Sequence, residues 1–310
     1  MVDVIRRRAA EAPEKRAFTF MDDGETVSQS MTYADLDARA RAIAAVLHER
    51  RTAGERALVM FPPGLEFIVA FLGCLYAGVI AVPVYPPGPS TQGRRRSRLD
   101  AVARDAEPAI VLTLAALQPG VERLLAANWG TAAPRVLGTD ATPVDAARRW
   151  QAPRIDQTSV AFLQYTSGST ATPKGVMVTH GNLLHNERVI EQKCGQDANS
   201  RIVGWLPLFH DMGLIGNVLQ PLFVGAQALL MPPGAFLEKP RRWLDAIQRF
   251  GGTTSGGPNF AYDLCVRKIR PEEREGLNLS TWTVAFNGAE PVRPATLDRF
   301  VRAFGPHGFR

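Results

Sequence analysis

Apolar and polar positions along this chain switch repeatedly between two periods. Leu36, Ala40, Ile43, Ala44 and Leu47 recur at the spacing of one helix face, and Thr32 with Asp35 three residues on offers a capping pair ahead of them. "ALVMF" at 57–61 reads as a short buried strand. The uncharged run 67–84, "FIVAFLGCLYAGVIAVPV", approaches membrane-spanning length, but Gly78 sits where a helix would end and β-branched residues follow. A buried helix and a core strand are predicted there. "RRRSRLDAVARDA" then reads as helix, "AIVLT" at 109–113 as strand, and "LAALQPGVERLLAAN" as helix again.

Residues 138–158 are polar and punctuated by proline, and they form the candidate linker. Beyond them come six further strand patterns: "VAFLQY", "GVMVT", "RIVGWL", "AQALLM", "GTTS" and "WTVAFN". Helical patterns at 181–192, 211–223, 240–250, 259–268 and 294–304 separate them. The expected fold is α/β and two-lobed, with largely parallel sheets and flanking helices. The expected division is 1–158 for the first lobe and 159–310 for the second.

Composition changes little in this picture. The chain has 310 residues, 45% hydrophobic and 21% charged, which suits a globular protein. Its net charge of +6 comes from 36 Lys and Arg against 30 Asp and Glu, with basic runs in "IRRRAAE" and at 93–100. No aromatics interleave with them, so solvated helix faces are favoured over an acidic partner, and nucleic acid is excluded as a partner. Cys74, Cys194 and Cys265 stand far apart, as in a reducing compartment, and form neither a disulfide framework nor a zinc site. No signal peptide precedes them and no integral membrane segment is read, so a cytoplasmic location is expected.

The chemistry concentrates in "LQYTSGSTATPKGVMVTH", 163–180. Gly168 and Lys174 keep the separation of a Walker loop, yet Pro173 replaces its second glycine and Gly175 its hydroxyl residue. Thr166, Ser167, Ser169, Thr170 and Thr172 supply hydroxyls between two buried strands, and Lys174 adds a cation. Such a loop makes an anion nest, although a Ser/Thr-rich hairpin turn would carry the same letters. His180 and His185 lack ligand spacing, and no metal-ligating set is read in the chain.

"YTSGSTATPKGVMVTHGNL" closely resembles the signature of the adenylate-forming enzymes, which include acyl-CoA synthetases, peptide-synthetase adenylation domains and luciferases. The resemblance covers nearly the whole chain. It implies ATP and Mg2+ as cofactors, with a carboxylate attacking the α-phosphorus to give an acyl-adenylate and pyrophosphate. By this resemblance Thr166 and Lys174 are catalytic, and Thr166, Ser167, Gly168, Ser169, Thr170 and Lys174 hold nucleotide phosphates. In "FNGAEPVR", Gly288, Ala289, Glu290 and Pro291 are expected to meet the adenine.

"WLPLFHDMGLIG" is similar to the segment lining the acid pocket, which assigns His210, Asp211, Met212 and Gly213 to the substrate. Amino-acid-activating relatives place an Asp directly after the Phe; here His210 follows Phe209, which favours an acid without an amino group. A structural role for His210 stays open. "TTSGGPNFAYDLC" likewise resembles a pocket-lining segment and assigns Ser255, Gly256, Gly257, Pro258 and Phe260, the glycines leaving room for an acyl chain beside backbone.

Taken with "AVPVYPPGPS", these stretches are most similar to the fatty acyl-AMP ligases. Those enzymes activate long-chain fatty acids for an acyl carrier protein, in polyketide or lipopeptide biosynthesis among other pathways. Ala171 is a small departure from the loop pattern of many coenzyme A ligases. The family's Glu for magnesium, its Asp for the ribose and its C-terminal domain with a catalytic Lys are not found here. The expectation is therefore an N-terminal part, inactive alone, without the small C-terminal domain. A long-chain acyl-CoA synthetase and a non-catalytic acyl- or nucleotide-binding module are the alternatives.

Overall fold

The computed structural model describes residues 1–50, 52–85, 94–166 and 173–310, without the side chains of 94–98. The chain opens with α1 (Val2–Glu11), β1 (Arg16–Phe20), β2 (Gln29–Thr32), α2 (Tyr33–Glu49), β3 (Arg56–Met60), α3 (Leu65–Ala77) and β4 (Ile80–Val84). It continues through α4 (Arg94–Ala106), β5 (Ile110–Thr113), α5 (Gln118–Trp129), β6 (Arg135–Gly138), β7 (Val160–Thr166), β8 (Lys174–Thr179) and α6 (His180–Cys194). β9 (Arg201–Gly204) leads into a helical stretch made of α7 (Asp211–Leu214), a π-helical turn (Ile215–Leu219) and α8 (Gln220–Val224). After it come β10 (Gln227–Leu230), α9 (Pro233–Glu238), α10 (Arg241–Phe250), β11 (Thr254–Gly257), α11 (Asn259–Lys268), β12 (Val284–Asn287) and α12 (Pro294–Phe304).

Two compact units result. The first comprises Met1–Glu14 and Tyr33–Asn186, the second Lys15–Thr32 and Glu187–Arg310. Each holds one six-stranded sheet, parallel except for an antiparallel pair at one edge. This division differs from a boundary at 158, for reasons that lie in strand pairing. β7 pairs parallel with β4, and β8 pairs antiparallel with β7, so both belong to the first sheet. β1 pairs parallel with β10, which carries the early β1–β2 hairpin into the second.

In the first unit the strand order is β6-β5-β3-β4-β7-β8. The apolar run at 67–84 becomes α3, buried along nearly its whole length, then a left-handed Gly78 with φ 66°, then β4. A helix apolar on every side belongs inside a core. Gly73 lets α2 come close, since a Cβ there would lie 2.6 Å from Ile43 Cγ2. Among the described residues no helix is long and apolar enough to cross a membrane. The proposed linker at 138–158 is instead packed structure. Ala146 and Ala147 bury against Ala42, and Trp150 Nε1 donates to the Tyr76 carbonyl at 2.8 Å. Its short 3-10 turns, Thr139–Ala141 and Val144–Arg149, lack the periodicity that identifies a helix in sequence.

In the second unit the order is β12-β11-β9-β10-β1-β2. Its core is aromatic: Trp205, Phe236, Trp243, Tyr262, Trp282, Phe300, Phe304 and Phe309 are all buried. Trp205 stacks on Phe236 with centroids 4.0 Å apart, and Trp243 meets Trp282 edge-on at 5.2 Å. β11 runs two residues further than the "GTTS" pattern, through Gly256 and Gly257, because both pair with β12. A Cβ on Gly256 would overlap the Phe286 carbonyl oxygen, so only glycine permits this approach.

Candidate active site

In the first unit the sequence-assigned loop stem lies at the edge of the sheet. Thr166, the last residue of β7, and Lys174, the first of β8, are direct antiparallel partners, and both are exposed. The loop between them therefore leaves and returns at one rung. Ser167, Gly168, Ser169 and Thr170 lie outside the described residues. Tyr165 anchors this stem from beneath. Its phenol donates to Asp105 Oδ2 of α4 at 2.5 Å, and its ring lies against Gly175, where a Cβ would come within 2.9 Å of Tyr165 Cζ. Burial first, and then the bond to Asp105, push the Tyr165 phenol well above the usual range. It remains a neutral donor.

His180 starts α6 directly after β8 and is buried. Burial, helped by the N-terminal ammonium, pushes its imidazole down to about 4 against a smaller opposing effect from Asp156. It is uncharged at neutral pH.

In the second unit the sequence-assigned segments gather at the carboxyl edge of its sheet. From β9 the chain crosses to β10 on one side and then returns to β11 on the other. An open α/β sheet binds ligands outside the carboxyl ends of its strands at such a reversal. The sequence-assigned segments leave the sheet here: 205–213 after β9, 258–260 after β11 and 288–293 after β12. His210 and Asp211 are exposed, with His210 Nδ1 3.3 Å from Asp211 Oδ1. The contact with His210 and the Met212 N–H, donating at 2.7 Å, hold the Asp211 carboxyl below its ordinary value. Met212 is half-buried and reaches Gly288, where a Cβ would lie 3.7 Å from Met212 Cε. Phe260, 42% exposed, meets the buried Trp205 ring edge-on at 6.1 Å. The structure thus brings Met212, Phe260, Gly288 and Glu290 to one edge.

Other assigned residues face inward. The Ser255 hydroxyl is buried, accepts from Trp243 Nε1 at 2.7 Å and donates to the Val203 carbonyl at 2.5 Å. A Cβ on Gly257 would lie 2.6 Å from the Trp205 ring, and one on Gly213 would overlap the Pro207 carbonyl oxygen. The room beside Gly256 and Gly257 is taken up by the protein's own Phe286 and Trp205.

The loop after β12 is ordered by Glu290, which the sequence assigned to the adenine, and by Asn259 and Tyr262, which it did not single out. Glu290 Oε1 accepts from the Phe260 N–H at 2.6 Å, in the first turn of α11. Buried Asn259 accepts from the Arg293 N–H at 3.0 Å through Oδ1 and donates to Thr296 Oγ1 at 3.3 Å. Tyr262 donates to the Phe286 carbonyl at 2.7 Å. The one available sequence signal was the Asn directly after "GGP", at a helix start. Among the described residues no three His, Cys, Asp or Glu side chains gather as a metal site.

The fold is α/β, with a hydroxyl- and lysine-bearing loop stem at one edge of the first sheet and chain segments leaving the carboxyl ends of the second. The family described as AMP-binding enzyme matches residues 5–309, and the chain belongs to it. It is 41% identical to the medium-chain-fatty-acid–[acyl-carrier-protein] ligase JamA of Moorena producens, covering 100% of this chain and 52% of that protein. It is 40% identical to the long-chain-fatty-acid–AMP ligase FadD32 of Mycolicibacterium smegmatis, over 98% of this chain and 49% of that one. Among solved structures, the fatty acyl-adenylate ligase from L. pneumophila in complex with acyl adenylate and pyrophosphate superposes with a TM-score of 0.91. It is 44% identical, over 100% of this chain and 53% of that one. The chain spans about half the length of these relatives.

Proposed function

We propose that this chain serves the ATP-dependent activation of a fatty acid to its acyl-adenylate, with release of pyrophosphate and delivery to an acyl carrier protein. One observation carries the reading: Thr166 and Lys174 face each other at the mouth of the hydroxyl-rich loop. A cation and a hydroxyl at that rung are placed to meet phosphate oxygens as they part from the α-phosphorus. Stabilising charge where it develops is the main catalytic lever in such transfers. The fatty acid oxygen attacks the α-phosphorus in line, and the bond to the β-phosphate oxygen breaks.

The second unit is assigned the acid and the purine. Met212 and Phe260 offer apolar and aromatic surface, and His210 rather than a carboxylate stands directly after Phe209. Mg2+ would accompany ATP and neutralise its phosphate charge. A cytoplasmic setting suits the free cysteines Cys74, Cys194 and Cys265. The carrier-protein acceptor is supported by the likeness to JamA, a medium-chain-fatty-acid–[acyl-carrier-protein] ligase.

The test is dodecanoate-dependent pyrophosphate release by a full-length protein carrying this chain, run once with an acyl carrier protein and once with coenzyme A as acceptor. Transfer to the carrier protein is expected; transfer to coenzyme A alone would overturn the acceptor assignment.

A further inference from the structure

Glu290 belongs by sequence to the purine-facing segment, yet its exposed carboxylate is bonded to the start of α11. It accepts the Phe260 N–H at 2.6 Å, and Phe260 is the second residue of α11. The first N–H groups of a helix lack partners inside the helix, and its dipole makes that end favourable for negative charge. A carboxylate from 30 residues away fills the position here. Three residues further on, the Arg293 N–H donates to Asn259 Oδ1 at 3.0 Å, in the same first turn. The loop from Gly288 to Arg293 is therefore fastened at two points to one helix start.

What the two fastenings enclose is a strained turn. Ala289 has φ 64°, and it is one of two non-glycine residues with positive φ among those described. An alanine does not rest there unless its surroundings hold it. Glu290 is the next residue, and its bond to α11 opposes relaxation of that turn. Pro258 and Phe260, at the other end of the bond, line the edge assigned to the acid.

We propose that Glu290 is a positioning residue: it holds Ala289 in its left-handed turn and locks the purine-facing loop onto the segment that faces the acyl group. The inference rests on the fatty acyl-AMP ligase reading and deepens it. Glu290 does not itself touch the nucleotide. It presents the backbone of 288–291 in a fixed shape, so the two halves of an acyl-adenylate meet a single preorganised surface. The first turn of α11, filled by this carboxylate, is closed to a phosphate.

The experiment titrates the chain with a non-hydrolysable dodecanoyl-sulfamoyl adenosine by calorimetry and follows amide hydrogen exchange at Phe260 and Arg293. In Glu290→Ala, Phe260 loses protection and affinity falls about tenfold, in line with the loss of one charge-assisted hydrogen bond. Glu290→Gln keeps an acceptor oxygen, restores protection and recovers most of the affinity. Ala289→Gly in the Glu290→Ala background recovers part of it, since glycine takes positive φ freely. Loss of Phe260 protection with unchanged affinity would overturn the proposal, leaving Glu290 as a helix cap only. Equal weakening in Glu290→Ala and Glu290→Gln would also overturn it, because it would mean that the charge itself meets the ligand. Failure of the unaltered chain to bind the analogue would defeat the underlying reading, and that result precedes any variant.

Discussion

Thr166 and Lys174 are cross-strand partners on the last rung of the β7–β8 pair, so the hydroxyl-bearing and ammonium-bearing residues at the two ends of the intervening loop share one rung. Lys174 is exposed and its removal leaves the sheet's core intact. Lys174→Ala should therefore leave the melting temperature within a degree or two (a surface change of ~0.5 kcal/mol or less). In a full-length protein carrying this chain, pyrophosphate exchange should fall roughly 100- to 1000-fold, the usual cost of one preorganised charge contact. Exchange within about twofold of the unaltered enzyme would remove Lys174 from the reaction.

The Tyr165–Asp105 bond supports that rung from the core side. Tyr165→Phe keeps the ring against Gly175 but leaves Asp105 without this donor. A destabilisation of about 1–2 kcal/mol is expected in urea unfolding, at unchanged slope. No change in midpoint would mean that the bond contributes nothing net.

Glu187 gives the molecule a pH signature. It is wholly buried, and the Gln220 amide, in the orientation that suits its neighbours, donates to its carboxylate at 2.5 Å and to its carbonyl at 3.0 Å. Burial pushes its carboxyl up from 4.5 to about 9. Between these values the unfolded chain has lost a proton that the folded chain keeps, so stability falls as pH rises through the window. His180 works the other way: with its folded value near 4 against 6.5 unfolded, it costs stability as pH falls through 6.5. Above pH 7 only Glu187 of this pair still contributes a slope. Glu187→Gln should flatten the decline in melting temperature between pH 7 and 9 and make the variant the more stable form at pH 8. An unchanged slope would show that Glu187 is ionised in the folded protein.

Gly257 illustrates how far the sequence could be read. Its place between a strand and a helix was legible, as were the helix–Gly78–strand turn, the alternating α/β order and the loop stem, because each depends on local periodicity or a long motif. Its reason for being glycine was not, because Trp205 lies 52 residues away in sequence and comes close only through the pairing of β9 with β11. The same holds for the hairpin β1–β2, which joins the second sheet through β10, for the buried roles of Ser255 and Asn259, and for the bond of Glu290 to α11. These are decided by partners distant in the chain, and 138–158 escaped because 3-10 turns carry no helical period.

A direct consequence concerns Gly257→Ala. The added Cβ would lie 2.6 Å from the Trp205 ring and 3.4 Å from Ala261 Cβ, so the aromatic core must shift. A loss of about 1–3 kcal/mol is expected, the range for overpacking a filled core. An equally stable variant, with near-ultraviolet circular dichroism unchanged, would mean that Trp205 leaves open space beside Gly257.

The claim that this chain handles a fatty acyl group rather than an amino acid turns on His210 standing where a carboxylate would greet an ammonium. Calorimetric titration with two non-hydrolysable adenylates, dodecanoyl-sulfamoyl adenosine and leucyl-sulfamoyl adenosine, tests it most directly. The dodecanoyl compound should bind at least tenfold more tightly, since the leucyl ammonium would be desolvated without a partner. Equal or tighter binding of the leucyl compound would contradict the account.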